Sequence, residues 1–295
     1  MSEGNSGSAT PDAVDCGALW WPLAAPGDLF DWVVAGKRLG DWLPDGGRMP
    51  EGVSRVPFAW LGAEDLRTLG GARPGTRLID GSGALLAHVE PGGAGGPCLE
   101  AGESRLVRHP WDLFLVVADL LTALETEESQ NQVVAMNSGV WVEGWMRLGE
   151  GCRVLPGVVV SGRVLAGPGC VLGPNCFLRG DVVLGEGVRV GHGVEIKNSI
   201  LGSGSAVSHL SYVGDSILGS DVNFGAGTMT ANFRHDGANH RSEVDGVLID
   251  TGRRKFGCVA GDGVRTGIHT GIYPGRKLGP GAWTRPGTMV TRDVR

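Results

Sequence analysis

Between Ile196 and Phe233 the chain gathers Lys197, His209, Tyr212, Asn223 and Asn232, in the stretch IKNSILGSGSAVSHLSYVGDSILGSDVNFGAGTMTANF. Lys197 is one of only four lysines in 295 residues. An ammonium group binds anions, an imidazole accepts a proton near neutral pH, and phenol and carboxamide groups orient a polar ligand. Arg179 lies upstream of Lys197, and His192 upstream of His209, at separations whose meaning depends on the scaffold.

That scaffold is legible in the apolar residues. Val142, Leu148, Val154 and Val160 recur every six positions; after a small slip Leu172, Leu178, Leu184, Val190 and Ile196 continue the period. Leu201, Val207, Val213, Leu218 and Phe224 follow with two five-residue steps, and Ile272, Leu278, Thr284 and Val290 resume it. Neither a helix nor an ordinary strand has period six, whereas hexapeptide β-helices do, each hexad supplying a short strand and a glycine-rich corner. By analogy with other hexapeptide proteins, three hexads make one triangular coil of a left-handed parallel β-helix, and such prisms commonly associate as trimers with sites between neighbours.

Residues three hexads apart then lie about 4.8 Å from each other. Arg179 and Lys197, each following a core aliphatic, project from one corner of adjacent coils. Two like charges so placed repel unless an anion or solvent intervenes, and a phosphate suits both groups. His192 falls beneath His209, with Ala226 next in the ladder. An imidazole there suits a general base, with a packed or surface histidine as the alternative.

Composition sets the outer bounds. The net charge of -6 divides unevenly: residues 1–134 hold 9 Lys and Arg against 19 Asp and Glu, and residues 135–295 hold 17 against 13. Anion-binding chemistry therefore belongs to the second part. No Lys/Arg run is interleaved with aromatics, so a nucleic-acid partner is not expected. The start lacks the basic and apolar regions of a secretory signal, and no apolar run approaches the roughly 20 residues of a membrane span, so a cytoplasmic protein is expected. Six cysteines without a CxxC pair read as reduced thiols, Cys152 and Cys170 forming one stack.

The sequence divides into a disordered start (1–15), a small mixed α/β segment (16–108) rich in tryptophan, a connecting helix (109–130) and the repeat region (135–295). A helix is predicted around Leu29 to Leu39. HPWDLFLVVADLLTALETEESQ (109–130) carries apolar residues at helical spacing with Pro110 near its first turn. The whole is mainly β.

KNSILGSGSAVSHLSYVGDSILGSDVNFGAGTMTANF resembles the acetyltransferase domain of the bacterial bifunctional glucosamine-1-phosphate acetyltransferase/N-acetylglucosamine-1-phosphate uridyltransferase family. TGRRKFGCVAGDGVRTGIHTGIYPGRKLGPGAW looks still closer to the archaeal sugar-1-phosphate nucleotidylyltransferase/acetyltransferases, and the resemblance covers about 109 to 295. It implies an acetyl-CoA-dependent N-acetyltransferase acting on glucosamine-1-phosphate or galactosamine-1-phosphate. His209 is then the catalytic base, Arg179 and Lys197 hold the sugar phosphate, Tyr212 and Asn223 contact the amino sugar, and Asn232 sits at the acetyl-CoA end. Arg253, Arg254 and Lys255 are either contacts to the phosphates of coenzyme A or a solvated basic turn. No metal is expected.

Three departures stand out. Phe233 follows Asn232 where the bacterial enzymes have tyrosine, and FRHDGANHR offers His240 and Arg241 where a phosphate-binding lysine is expected. Residues 1–108 contain no LAAGxGxRM-type nucleotide loop, so uridyltransferase activity is expected to be absent. Two other classes compete: a γ-carbonic-anhydrase-like zinc hydratase using His209, His235 and His240, and a non-catalytic sugar-nucleotide-binding scaffold.

Overall fold

The computed structural model describes residues 23, 33–42, 48–90, 96–128 and 139–295. The start at 1–15 and Cys16 lie outside them. From Trp141 onward the chain winds as a parallel β-helix. The strands Trp141–Leu148, Val159–Ala166, Phe177–Leu184 and Glu195–Leu201 stack in register, and a second sheet stacks Arg153–Val154, Val171–Leu172, Arg189–His192, Ala206–His209 and Asn223–Phe224.

The period-six residues are its core. Val160, Leu172, Leu178, Leu184, Val190, Ile196, Val207 and Val213 are fully buried in one cluster with Cys170 and Cys176. The predicted slip between Val160 and Leu172 is not there, because buried Ala166 occupies the intermediate position and pairs with Leu184. Where the step shortens to five, two residues of one strand, Gly180 and Asp181, oppose the single residue Asn198. Asn198 and Asp215 take left-handed backbone conformations (φ 43° and 49°) at these short steps, a geometry Asn and Asp tolerate better than most residues. Cys152 and Cys170 are free thiols, and burial pushes Cys170 up to about 12.

One coil is interrupted. Cys258 N donates to Ser216 Oγ across 42 residues of sequence, and Leu218 pairs with Ala260. The intervening chain leaves the prism after Thr230, forms the antiparallel hairpin Arg241–Val244/Val247–Asp250 and returns at Cys258.

On one face each coil carries a second aliphatic residue pointing outward. Leu165, Val183, Ile200, Ile217 and Val259 form a stacked ladder, bounded by Arg147 and Lys277. The helix Leu113–Glu128 covers it with Leu113, Val116, Val117, Leu120, Leu121 and Leu124. Burial of each such aliphatic contributes on the order of 1.5–3 kcal/mol. Asp112 starts this element, its carboxylate accepting from the backbone N–H of Arg108 and His109, both at 2.8 Å, around a short 3-10 turn Pro110–Asp112.

The front segment holds a four-stranded sheet (Val53–Arg55, Leu85–Val89, Arg77–Ile79, Cys98–Glu100) packed with the helix Ala63–Gly70. The helix predicted around Leu29 to Leu39 is replaced, from Val33 on, by the hairpin Val33–Val34/Lys37–Arg38, because Ala35 and Gly36 both adopt positive φ and turn the chain back. Residues 29–32 lie outside the described residues. No helix among the described residues is long and apolar enough to cross a membrane.

Candidate active site

A cavity of 330 Å³ opens on the face of the prism built by Phe177–Leu184, Glu195–Leu201 and Tyr212–Gly214. It is lined by Arg179, Lys197, Tyr212, Asn232, Phe233 and Lys255. Arg179 and Lys197 are register partners on adjacent strands, as the three-hexad spacing predicts.

Each of these two cations has its own carboxylate. Arg179 donates to Glu195 (Nε to Oε1, 2.6 Å), and Lys197 Nζ donates to Asp215 Oδ2 at 2.8 Å. Lys197 and Asp215 are both buried. Asp215 also accepts from Asn198 Nδ2 (3.3 Å) and from Asn232 Nδ2 (2.5 Å), and Asn232 Nδ2 reaches Tyr212 Oη at 3.0 Å. Asn198, Asp215 and Asn232 thus form a polar ladder at 17-residue spacing down the shortened corner.

Burial, with Asp215 and Glu195 nearby, raises the Tyr212 phenol above its ordinary value, so it remains an O–H donor at neutral pH. Gly214 makes room for it: a Cβ there would lie 2.3 Å from Tyr212 Oη and 2.8 Å from Asn232 Nδ2.

The excursion supplies the rest of the wall. Phe233 and Lys255 form an antiparallel bridge, and Phe256 N donates to Asn232 O at 2.9 Å. Phe256 is fully buried, edge-on to Trp111 (centroids 6.0 Å apart) and to His240 (6.4 Å). His240, expected from sequence near the phosphate, instead lies buried behind the wall with Nε2 3.2 Å from Asn232 O, and burial lowers its pKa. Arg241 begins the hairpin. Arg253 and Arg254 do not line the cavity: the Arg253 guanidinium lies 4.3 Å from the centroid of Phe114, and Arg254 Nε donates to Gly237 O at 3.0 Å.

His209 and Asn223 sit on the neighbouring sheet. His209 is exposed at the end of its strand, in register with His192, and Asn223 lies between Ala206 and Arg265. Neither lines the cavity of the single chain. Among the described residues of the single chain, no group of three His, Cys, Asp or Glu is arranged to hold a metal ion.

Glu195 and Asp215 escape the sequence reading. Asp215 stands in the quoted motif HLSYVGD, one residue past Gly214, the register partner of Lys197, because the coil there has 17 residues and not 18. Glu195 lies beside Lys197 in sequence yet bonds Arg179, because the guanidinium reaches across to the neighbouring strand.

Residues 160–273 match the family described as the GMPPB C-terminal domain. The chain is 47% identical over 106 residues to a bifunctional sugar-1-phosphate nucleotidylyltransferase/acetyltransferase of Sulfurisphaera tokodaii, covering 36% of this chain and 26% of that protein. It is 34% identical over 188 residues to the bifunctional protein GlmU of Methanococcus aeolicus, covering 64% and 44%. This chain is a homologue of these bifunctional proteins. GlmU of Gloeobacter violaceus is 40% identical over 107 residues, covering 36% and 20%. The chain spans less than half the length of these relatives.

Proposed function

We propose that the chain is an acetyl-CoA-dependent N-acetyltransferase acting on an amino-sugar 1-phosphate, glucosamine-1-phosphate or galactosamine-1-phosphate. The observation that carries this reading is the stacking of Arg179 on Lys197 in one cavity with Tyr212 and Asn232. Cations, a phenol and a carboxamide around 330 Å³ suit a small phosphorylated sugar. The relatives' printed names point the same way.

In this reading Arg179 and Lys197 receive the phosphorylated end of the sugar, Tyr212 and Asn223 orient the amino sugar, and Asn232 marks the acetyl-CoA end. His209 takes the proton as the amine nitrogen attacks the thioester carbonyl. A C–N bond forms, the C–S bond breaks, and the proton passes to the departing thiolate of coenzyme A. Backbone N–H groups of a neighbouring coil serve the tetrahedral oxyanion.

His209 and Asn223 lie on a different sheet from the cavity, which favours a site completed between copies in a homotrimer. An outward ladder supports it: Trp141, Val159 and Phe177 stack in successive coils, and the same ladder continues through Glu195, Tyr212, Met229 and Gly271 to Met289. Trp141, Met229 and Met289 are exposed large apolar side chains.

We propose no uridyltransferase activity for the chain. The described residues of the front segment build a small sheet of short strands and one eight-residue helix. Incubation with UTP, magnesium and the acetylated sugar phosphate is expected to release no pyrophosphate.

The deciding experiment is thiol release from acetyl-CoA against a panel of amino-sugar 1-phosphates, with His209→Ala alongside. Loss of a general base is expected to lower turnover by about 100-fold or more. Equal rates for the two proteins would remove His209 from the mechanism.

A further inference from the structure

The carboxylate beneath the cavity is held from both sides. Asp215 Oδ2 accepts from Lys197 and Asn232, and Oδ1 accepts from Asn198 Nδ2. The other end of the Asn198 carboxamide is engaged as well, Oδ1 accepting from the backbone N–H of Asp181 at 3.1 Å. At this bulge Gly180 and Asp181 together oppose the single residue Asn198, and the Asn198 side chain takes the place of a second register partner. Asn198 therefore ties the backbone of the coil on one side to the buried carboxylate of the coil on the other.

Asp181 is in turn pinned from outside the cavity. Its carboxylate accepts two bonds from its register partner Arg163, from Nε at 2.7 Å and from Nη2 at 2.8 Å. Such a planar fork fixes the orientation of the carboxylate as well as its position. The remaining nitrogen, Nη1, donates to Thr122 Oγ1 at 2.8 Å and lies 3.5 Å from Glu125 Oε2, both on the helix Leu113–Glu128. About one turn earlier, Asp119 of the same helix accepts from Trp60 Nε1 (2.9 Å) and Arg105 Nη2 (3.0 Å) of the front segment. Helix and cavity are thus connected through Thr122, Arg163, Asp181, Asn198, Asp215 and Lys197.

We propose that Arg163 is a positioning residue for the sugar-phosphate site: by locking Asp181 it sets Asn198, and through Asn198 the carboxylate that aims Lys197 and Asn232 into the cavity. This rests on the acyl-transfer reading above. Arg163 does not line the cavity, so its effect passes through the residues between. The connecting helix, braced by the front segment, thereby takes part in assembling the site.

Calorimetric titration with glucosamine-1-phosphate and galactosamine-1-phosphate, beside thiol-release kinetics, tests this on wild type, Arg163→Met, Asn198→Gly and the double variant. Glycine suits the left-handed backbone at Asn198 (φ 43°), so the change removes the carboxamide without straining the turn. Each single variant is expected to weaken sugar-phosphate binding by about 3- to 10-fold and to raise KM to match, with kcat within about threefold. In the double variant Arg163→Met should add less than about twofold to the Asn198→Gly loss, because the connection is already cut. A merely structural Arg163 would contribute the same factor in both backgrounds. That result, or unchanged binding by Arg163→Met, overturns the inference and leaves acyl transfer intact. Should Arg163→Met fail to fold, Asp181→Asn, which keeps the side-chain shape and weakens the fork, takes its place in the cycle with the same expected and overturning results. Wild type that binds the sugar phosphate without transferring acetyl removes the acyl-transfer reading and leaves this inference to the binding data; wild type that binds neither sugar phosphate overturns both.

Discussion

Lys197 and Asp215 form an ion pair at 2.8 Å in which both side chains are buried, Asp215 almost completely. The carboxylate faces Lys197, Asn198 and Asn232 at once, so it joins the cation of one coil to the carboxamide of the excursion. Neither end of such a pair can be removed without leaving the other desolvated and unmatched.

Asp215→Asn should therefore cost about 3–5 kcal/mol, because the isosteric amide leaves the Lys197 ammonium buried without a counter-charge. Combining it with Lys197→Met should restore most of that stability while abolishing substrate binding. Urea unfolding of the two single variants and the double variant measures the coupling. A single-variant loss below about 1 kcal/mol would mean that Lys197 finds water in the folded protein.

Gly214→Ala separates site from scaffold. The new methyl group meets the ends of two side chains, Tyr212 and Asn232, which can swing aside. Stability should fall by about 1–2 kcal/mol, and KM for the sugar phosphate should rise more than about tenfold. Gly191→Ala is the contrast. There a Cβ would stand 2.0 Å from the carbonyl oxygen of Ser208, a backbone atom of the next coil, so soluble yield and thermal midpoint should drop instead.

His240 gives stability a pH dependence. Burial, with Arg234 and Arg276 nearby, lowers its folded pKa, and the bonds to backbone at Asn232 and Arg254 oppose this. The unfolded imidazole takes up a proton near 6.5 and the folded one only at lower pH. Between those values the unfolded state binds more protons, so stability falls as pH drops through that window and is fully present above it. His240→Gln, which keeps a donor to Asn232 O, should flatten this part of the profile. Thermal midpoints of both proteins from pH 8 to pH 5 test it; parallel curves would assign the acid loss to other groups.

The sequence carries the scaffold more openly than the site. Every sixth residue must be apolar because it meets the same neighbours in the coils above and below, so Leu172, Leu178 and Leu184 announce themselves. The same regularity pairs Arg179 with Lys197 and His192 with His209. Where the coil loses a residue the arithmetic becomes local. Asn198, Asp215 and Asn232 align only once 17 replaces 18, and their polar contacts are invisible to an apolar periodicity. The hairpin at 241–250 has no repeat to betray it, and the turn at Ala35-Gly36 depends on backbone angles that the flanking aliphatic residues disguise.

Because Leu218 stacks directly on Ala260, the excursion between Thr230 and Cys258 leaves the register of the rungs it interrupts unchanged. Closing a longer or shorter loop at the Phe233–Lys255 bridge changes the entropic cost only slowly with length. Ligand choice is thereby modular: grafting a different excursion between the same two rungs would exchange Asn232, Phe233 and Lys255 as a cassette, while the column of aliphatic residues beneath went on packing undisturbed.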